Sequence, residues 1–212
     1  MGEPLSPVAQ ASEPGGNGSL KSEMPNSVTR PGKRERLIHS AAELLHSQGV
    51  QRTTLAQIAE HAAVPPGNVY YYFKTFAELI DAVIDHRQGM IYDALTRLDK
   101  RATPKAKLKG LAEMWTDTAD MVAENGCPLG SLVSELNKAH DQVTDHAAVL
   151  LRTTIDFIER QFRELGRRDA AALSITMMSR IQGAALLANT FGDASLLKAE
   201  VRRIERWIDE LA

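Results

Sequence analysis

The sequence predicts an all-α protein: a three-helix head at the N-terminal side joined to a larger helical bundle. Three observations carry this. From Lys33 onward apolar residues recur at helical spacing, and no stretch alternates strictly enough to read as a strand. Glycine, proline or a capping threonine stands at many of the expected helix ends.

In the first helix Leu37, Ile38, Ala41, Ala42, Leu44 and Leu45 form one face, and Gly49 ends it. A second helix opens at Thr54, where Thr54 and Gln57 have capping-box spacing, and carries Leu55, Ile58, Ala59 and Ala62 as its apolar stripe. A third follows Ala63-Val64 with proline in its first turn, where the missing N–H costs nothing. A long helix is expected over about Ala77–Asp99, stopped before Pro104, then one over Lys105–Glu124 ending at Asn125-Gly126. The rest reads as a short helix from Leu129 to about Ala139, longer ones over Asp141–Leu165 and Asp169–Phe191 around Gly166, and a last one over Ser195–Leu211.

These elements divide the 212 residues into a tail (1–32), a head (33–76) and a body (77–212). Gly, Pro and Ser make up about half of the first segment, too little apolar surface to offset ordering entropy, so it is expected to be flexible. The net charge of −2 gives no global basic footprint, but the head carries five Lys/Arg against Glu35, Glu43 and Glu60, whereas the body carries 18 basic and 21 acidic residues. The single cysteine, Cys127, excludes an intramolecular disulfide and a Cys-rich metal site. No run of 18 consecutive apolar residues occurs, so no membrane span is expected, and the protein is expected to be soluble and cytoplasmic.

The stretch Gly67-Asn68-Val69-Tyr70-Tyr71-Tyr72-Phe73-Lys74 places three phenols on one short helix. A buried hydroxyl needs a hydrogen-bond partner, so the helix should have two faces. At about 100° per residue, Pro66, Val69, Tyr70 and Phe73 fall in one arc, expected to pack inward, and Gly67, Asn68, Tyr71 and Tyr72 fall on the other side. A glycine, an amide and two phenols, with Lys74 beyond, suit close approach to the major groove of double-stranded DNA.

Ala41-Ala42-Glu43-Leu44-Leu45, Gly49, Thr53-Thr54, Ile58-Ala59, Val64 and the Gly67–Lys74 run together resemble the tetracycline-repressor (TetR) family of bacterial regulators over about residues 33–80. Ala63 stands where that family's turn usually has glycine, and Pro65-Pro66 where a side-chain cap often sits. The resemblance implies a helix-turn-helix DNA-binding domain, with Gly67, Asn68 and Tyr71 as base-edge readers and Thr54, Tyr70, Tyr72 and Lys74 as phosphate contacts. For Tyr70 a core ring with its hydroxyl at the rim is the other reading; Arg34 and Arg52 are further phosphate partners on charge alone.

The resemblance also implies a homodimer on a near-palindromic operator and a small-molecule effector, released repression being the family's commoner habit. The helix around Ile175–Phe191 is apolar or small over most of its circumference, and Val201, Ile204, Trp207, Ile208 and Leu211 form a stripe on the last. Both are expected to meet their two-fold copies. Leu108, Leu111, Ala112, Trp115, Ala119 and Val122 read as a core face. Beside them Met114, Thr118 and Met121, with Trp115, and Met178 and Gln182 across the bundle, form a candidate pocket for a mostly apolar ligand.

Cys127, with no basic residue near it in sequence, reads as a buried small hydrophobe rather than a redox sensor. His140, Asp141, Asp145 and His146 read as a solvated face rather than a metal site. There is no glycine-rich phosphate loop, zinc motif or nucleophile elbow, so no catalytic residue or cofactor is assigned. The rival readings are an enzyme without DNA binding and a helical protein-binding adaptor.

Overall fold

The structure, a computed structural model, describes residues 31–139 and 144–211; the expected tail lies outside them apart from Pro31 and Gly32. Among the described residues there are ten α-helices and no strand. The first three are α1 (Lys33–Gln48), α2 (Leu55–His61) and α3 (Pro66–Tyr72). Next come α4 (Phe76–Asp99), α5 (Pro104–Asp117), α6 (Ala119–Asn125) and α7 (Gly130–Ala139). The last are α8 (Thr144–Glu164), α9 (Ala170–Phe191) and α10 (Ala194–Glu210).

Local chemistry sets most of these boundaries. Gly49 ends α1 at φ 85°, and the Glu135 carboxylate lies so close that a Cβ there would meet it at 2.9 Å. The Thr54–Gln57 capping box opens α2. Thr75 and Thr103 accept from the amides of Glu78 and Ala106 to start α4 and α5, with Pro104 as the first residue of α5. The helix expected over Lys105–Glu124 is two helices. At the break, the Thr118 amide turns to the Thr116 carbonyl and its hydroxyl donates to Met114 O at 3.1 Å.

Two cores organise the molecule. The first gathers Leu37, Ala41, Leu45, Ile58, Ala59, Val69 and Phe73 around the start of α4, and continues into Leu132 and Leu136 of α7 and Leu150 of α8. The second gathers Leu108, Leu111, Val122, Ile158, Phe162, Met177, Ile181, Val201, Ile204 and Ile208. Ile91 and Leu129 pack against both. The head boundary expected at residue 76 therefore falls at the first residue of an uninterrupted 24-residue helix.

The last two helices divide their apolar surface differently from expectation. Val201, Ile204 and Ile208 of α10 are fully buried within the protomer, Trp207 packs edge-on against Phe162 at 5.7 Å, and Leu211 lies against the same core. That stripe is spent on α5 and α9 rather than left for a second copy. α9 instead points Met177, Ile181, Ala184, Ala185 and Ala188 inward while Ile175, Leu186, Leu187 and Phe191 stand exposed. Helix α9 is also long and apolar enough to cross a membrane by length and composition alone, although its inner face belongs to the core.

Candidate nucleic-acid interface and ligand cavity

Helix α3 is anchored by Val69 and by Phe73, the residue that ends it, both almost completely buried. Tyr72 is half-buried against the same core. Tyr70 is 59% and Tyr71 75% exposed, and Pro66 is exposed as well. The inward arc is therefore Val69, Tyr72 and Phe73, and Tyr70 and Tyr72 have exchanged the sides of the helix expected for them. Packing is centred on Val69 and Phe73 at the end of the helix. At about 100° per residue Tyr70 and Tyr72 lie equally far, about 80°, to either side of the midpoint between Val69 and Phe73, so helical spacing does not choose between them; the neighbouring helices cover the Tyr72 side and leave the Tyr70 side open.

The outer face presents Gly67, around which a Cβ would meet nothing within 4 Å, then Tyr70 and Tyr71, with Asn68 half-buried at the flank. Tyr71 is braced by the Tyr72 ring, edge to face at 4.9 Å. Lys74 folds back to donate from Nζ to the Tyr70 carbonyl at 2.8 Å, neutralising the helix end. The Pro65-Pro66 start has no side-chain cap, and the Asn68 amide is given to the Pro65 carbonyl at 2.8 Å.

The α2–α3 turn is pinned from α1. Arg36 Nη1 donates to the Ala62 carbonyl at 3.0 Å, and the Val64 amide returns to Ala59 O at 2.9 Å. Ala63 takes φ 50°, the left-handed conformation a glycine would hold without cost. Arg34 lies over the Phe73 ring, 5.3 Å from its centroid. The Thr54 hydroxyl accepts from the Gln57 amide at 3.3 Å and sits on the exposed side of α2, and Arg52 is exposed beside it. Sequence reasoning missed the Arg36 role, whose only signal was a basic residue on the half-apolar side of α1.

A second feature lies in the body. A cavity of about 160 Å³ is lined by Met114, Trp115, Thr118 and Met121 where α5 meets α6, by Ile91 and Leu95 of α4, by Pro128 and Leu129, and by Thr154 of α8. No charged side chain lines it. Met178 and Gln182 do not reach it. The side opposite Trp115 is closed by α4 and α8, whereas α9 packs on α6, α8 and α10. Met178 is buried on α9, and Gln182 lines a separate cavity of about 270 Å³ with Cys127, its Nε2 3.5 Å from the sulfur.

Cys127 is buried, as expected, but its surroundings were not legible from its neighbours in sequence. The Gly130 amide donates to its sulfur at 3.2 Å, and Arg87 lies near enough that a thiolate would raise the guanidinium pKa against the lowering effect of burial. His46 Nε2 stands 2.9 Å from the adjoining Gly126 carbonyl. Of the expected polar face, His140 and Asp141 lie outside the described residues, as does the Asp145 side chain. His146 holds Asp81 at 3.1 Å and Asp85 at 3.2 Å, joining α8 to α4. Among the described residues no group of three or more His, Cys, Asp or Glu has the geometry of a metal site.

A three-helix head with a pinned turn and an uncovered outward helix, continuous with a helical body holding an apolar cavity, defines a helix-turn-helix regulator. Comparison with known proteins agrees. Residues 37–83 match the model of bacterial regulatory proteins of the tetR family, and residues 104–202 match the LmrA/YxaF-like transcriptional regulator C-terminal domain. An uncharacterized HTH-type transcriptional regulator in the lacX 3′ region of Lactococcus lactis is 25% identical over 183 residues, 78% of this chain and 88% of that protein. The regulator TtgR of Pseudomonas putida is 44% identical over 52 residues, 24% of this chain and 25% of its own. The crystal structure of a regulatory protein TetR from Rhodobacter sphaeroides superposes with a TM-score of 0.73 over 82% of this chain and 97% of that one; at 24% identity it shows the shared fold. The chain belongs to the tetR family of DNA-binding transcriptional regulators, a family without enzymatic activity. Regulators of this family bind DNA operators and small-molecule effectors as dimers.

Proposed function

We propose that this protein is a cytoplasmic, ligand-responsive repressor that binds a near-palindromic operator as a homodimer and leaves it when a small, mostly apolar molecule enters the Trp115 cavity. In this reading residues 33–76 are the reading head and 77–212 the ligand-binding and dimerisation body. The observation that carries it is the uncovered face of α3: Gly67, Tyr70 and Tyr71 exposed on a helix held rigidly by Val69 and Phe73. Gly67, Asn68 and Tyr71 read base edges, and Thr54, Tyr70, Tyr72 and Lys74 hold phosphates. Two heads about 34–36 Å apart would enter successive major grooves.

The cavity supports the effector half of the reading. Its lining offers a ring, two thioethers and two hydroxyls, which suits a neutral apolar molecule. At about 160 Å³ it is smaller than the roughly 300–1,000 Å³ of drug-sized sites, so Met114 and Met121, both partly exposed, would swing aside on binding. Helix α4 lines the cavity with Ile91 and Leu95 and carries the head at its other end, so a ligand preferring a displaced α4 would change the separation of the heads. A typical coupling is about 1–3 kcal/mol.

The test is a salt titration of binding to an operator selected from random duplexes, beside binding to random DNA. Tyr71→Ala should lose about 1–3 kcal/mol on the operator and far less on random DNA. Lys74→Ala should weaken both alike and reduce the slope of log affinity against log salt by about one. Tyr70→Ala should lower DNA affinity while leaving folding stability nearly unchanged, because its ring is exposed. An unaltered specificity ratio in Tyr71→Ala overturns the reading face. A neutral apolar probe, N-phenyl-1-naphthylamine, that quenches Trp115 without weakening operator binding overturns the effector half.

A further inference from the structure

On the α4–α8 seam lies a polar groove of about 380 Å³, with Leu95 shared between it and the Trp115 cavity. Its other walls include Tyr92, Asp99, Asp156, Phe157 and Arg160. The Arg160 guanidinium lies over the Phe157 ring, 5.2 Å from its centroid, and its Nη2 donates to Asp99 Oδ2 at 2.7 Å. One planar cation, supplied by the chain, already occupies this groove, held by an aromatic face and a carboxylate. Those are the two features that recognise guanidinium-like groups generally.

The groove has more of both than Arg160 uses. The Tyr92 ring is more than half exposed on the opposite wall. Asp156 is exposed and makes no ion pair among the described residues. Asp99 is already held by Arg160 and, from outside the groove, by Lys107 at 3.3 Å, so the carboxylate left for a ligand is that of Asp156; the aromatic walls favour a flat ligand over a compact metal ion. The neighbouring cavity, with no charged lining, could not hold a cation without a large desolvation cost.

We propose that this groove is a second ligand site, distinct from the apolar cavity, and that it binds planar organic cations of the amidinium or guanidinium class. The ligand's cation pairs with Asp156, its ring lies between Tyr92 and Phe157, and Arg160 acts as a tethered competitor that the ligand displaces. The site stands whether or not the Trp115 cavity takes an effector.

The experiment is calorimetric titration of the full chain, without DNA, with 4-aminobenzamidine and with its neutral isostere 4-aminobenzamide. The amidine is expected to bind one per protomer and the amide not to bind. Asp156→Asn should weaken the amidine about three- to five-fold, the size of one exposed ion pair. Arg160→Ala should tighten it, because the competitor is gone. Both side chains are exposed, so both variants should keep the wild-type circular dichroism spectrum and melting temperature. Equal binding of the neutral amide, or an amidine affinity indifferent to Asp156→Asn, overturns the proposal.

Discussion

His46, near the end of α1, holds the Gly126 carbonyl at the far end of α6, so its neutral form with a proton on Nε2 joins head to body. Burial is the strongest influence on the ring and lowers its pKa below the ordinary 6.5; the bond to Gly126 works the other way, and the Arg87 charge adds to the lowering. His86 shifts in the same direction, through burial, then the His39 ring in edge contact at 4.5 Å, then Arg87. With folded pKa values below the unfolded ones, the unfolded chain binds more protons as the solution acidifies. The stability these histidines support is complete above the unfolded pKa and is lost as pH falls through it toward the folded value. The urea midpoint should therefore drop between about pH 7.5 and pH 5.5, and His46→Gln, which keeps a donor for Gly126, should flatten that drop. An unchanged pH slope in the variant would show that His46 stays uncharged for another reason or does not contribute.

At the scale of the element, the α2–α3 turn holds local strain. A non-glycine residue in the left-handed region costs roughly 1–2 kcal/mol, and Ala63 at φ 50° is held there by the Ala63 and Val64 amide bonds to Glu60 and Ala59 and by Arg36 across the turn. Ala63→Gly removes that cost but adds freedom to the unfolded chain worth about 0.4–1 kcal/mol. The expected net is a stabilisation of about 0.5–1 kcal/mol in urea denaturation. A destabilised variant would mean that the Ala63 methyl packs favourably enough to outweigh the strain. Helix α3 itself has only seven residues and no N-terminal side-chain cap, so its order depends on the Val69 and Phe73 anchors.

For the whole molecule, the surface on which the proposed homodimer rests is the outer face of α9. Ile175, Ser179, Gly183, Leu186 and Thr190 fall on one stripe, and a Cβ at Gly183 would meet nothing within 4 Å. Small residues between the exposed Ile175 and Leu186 would let a two-fold copy approach closely, and Leu186, 66% exposed, would meet the partner helix. Burying one leucine contributes about 1.5–3 kcal/mol, and two-fold symmetry counts it twice, so Leu186→Glu should weaken the dimer about a hundredfold or more. Sedimentation should show a folded monomer at micromolar concentration with correspondingly poor operator binding. A variant that stays dimeric would move the interface elsewhere.

Local order was legible in the residues themselves. The Thr54–Gln57 box, Gly49, the prolines before α3 and the apolar spacing set the helices nearly where they lie, because capping and periodicity act within a few residues. The same short range identified Tyr71 as outward and placed Met114, Trp115, Thr118 and Met121 together, since they share one face across the Thr118 break. Packing decided the rest. Whether Tyr70 or Tyr72 turned inward depended on where α3 is gripped, and the α10 stripe was claimed by α5 and α9 before any second copy could use it. Met178 and Gln182 were turned away from Trp115, and Arg87 and His46 were brought beside the Gly126–Cys127 segment across about 40 and 80 residues of chain. Periodicity shows how wide an apolar face is; which part of it is covered, and by what, is settled only when the helices pack.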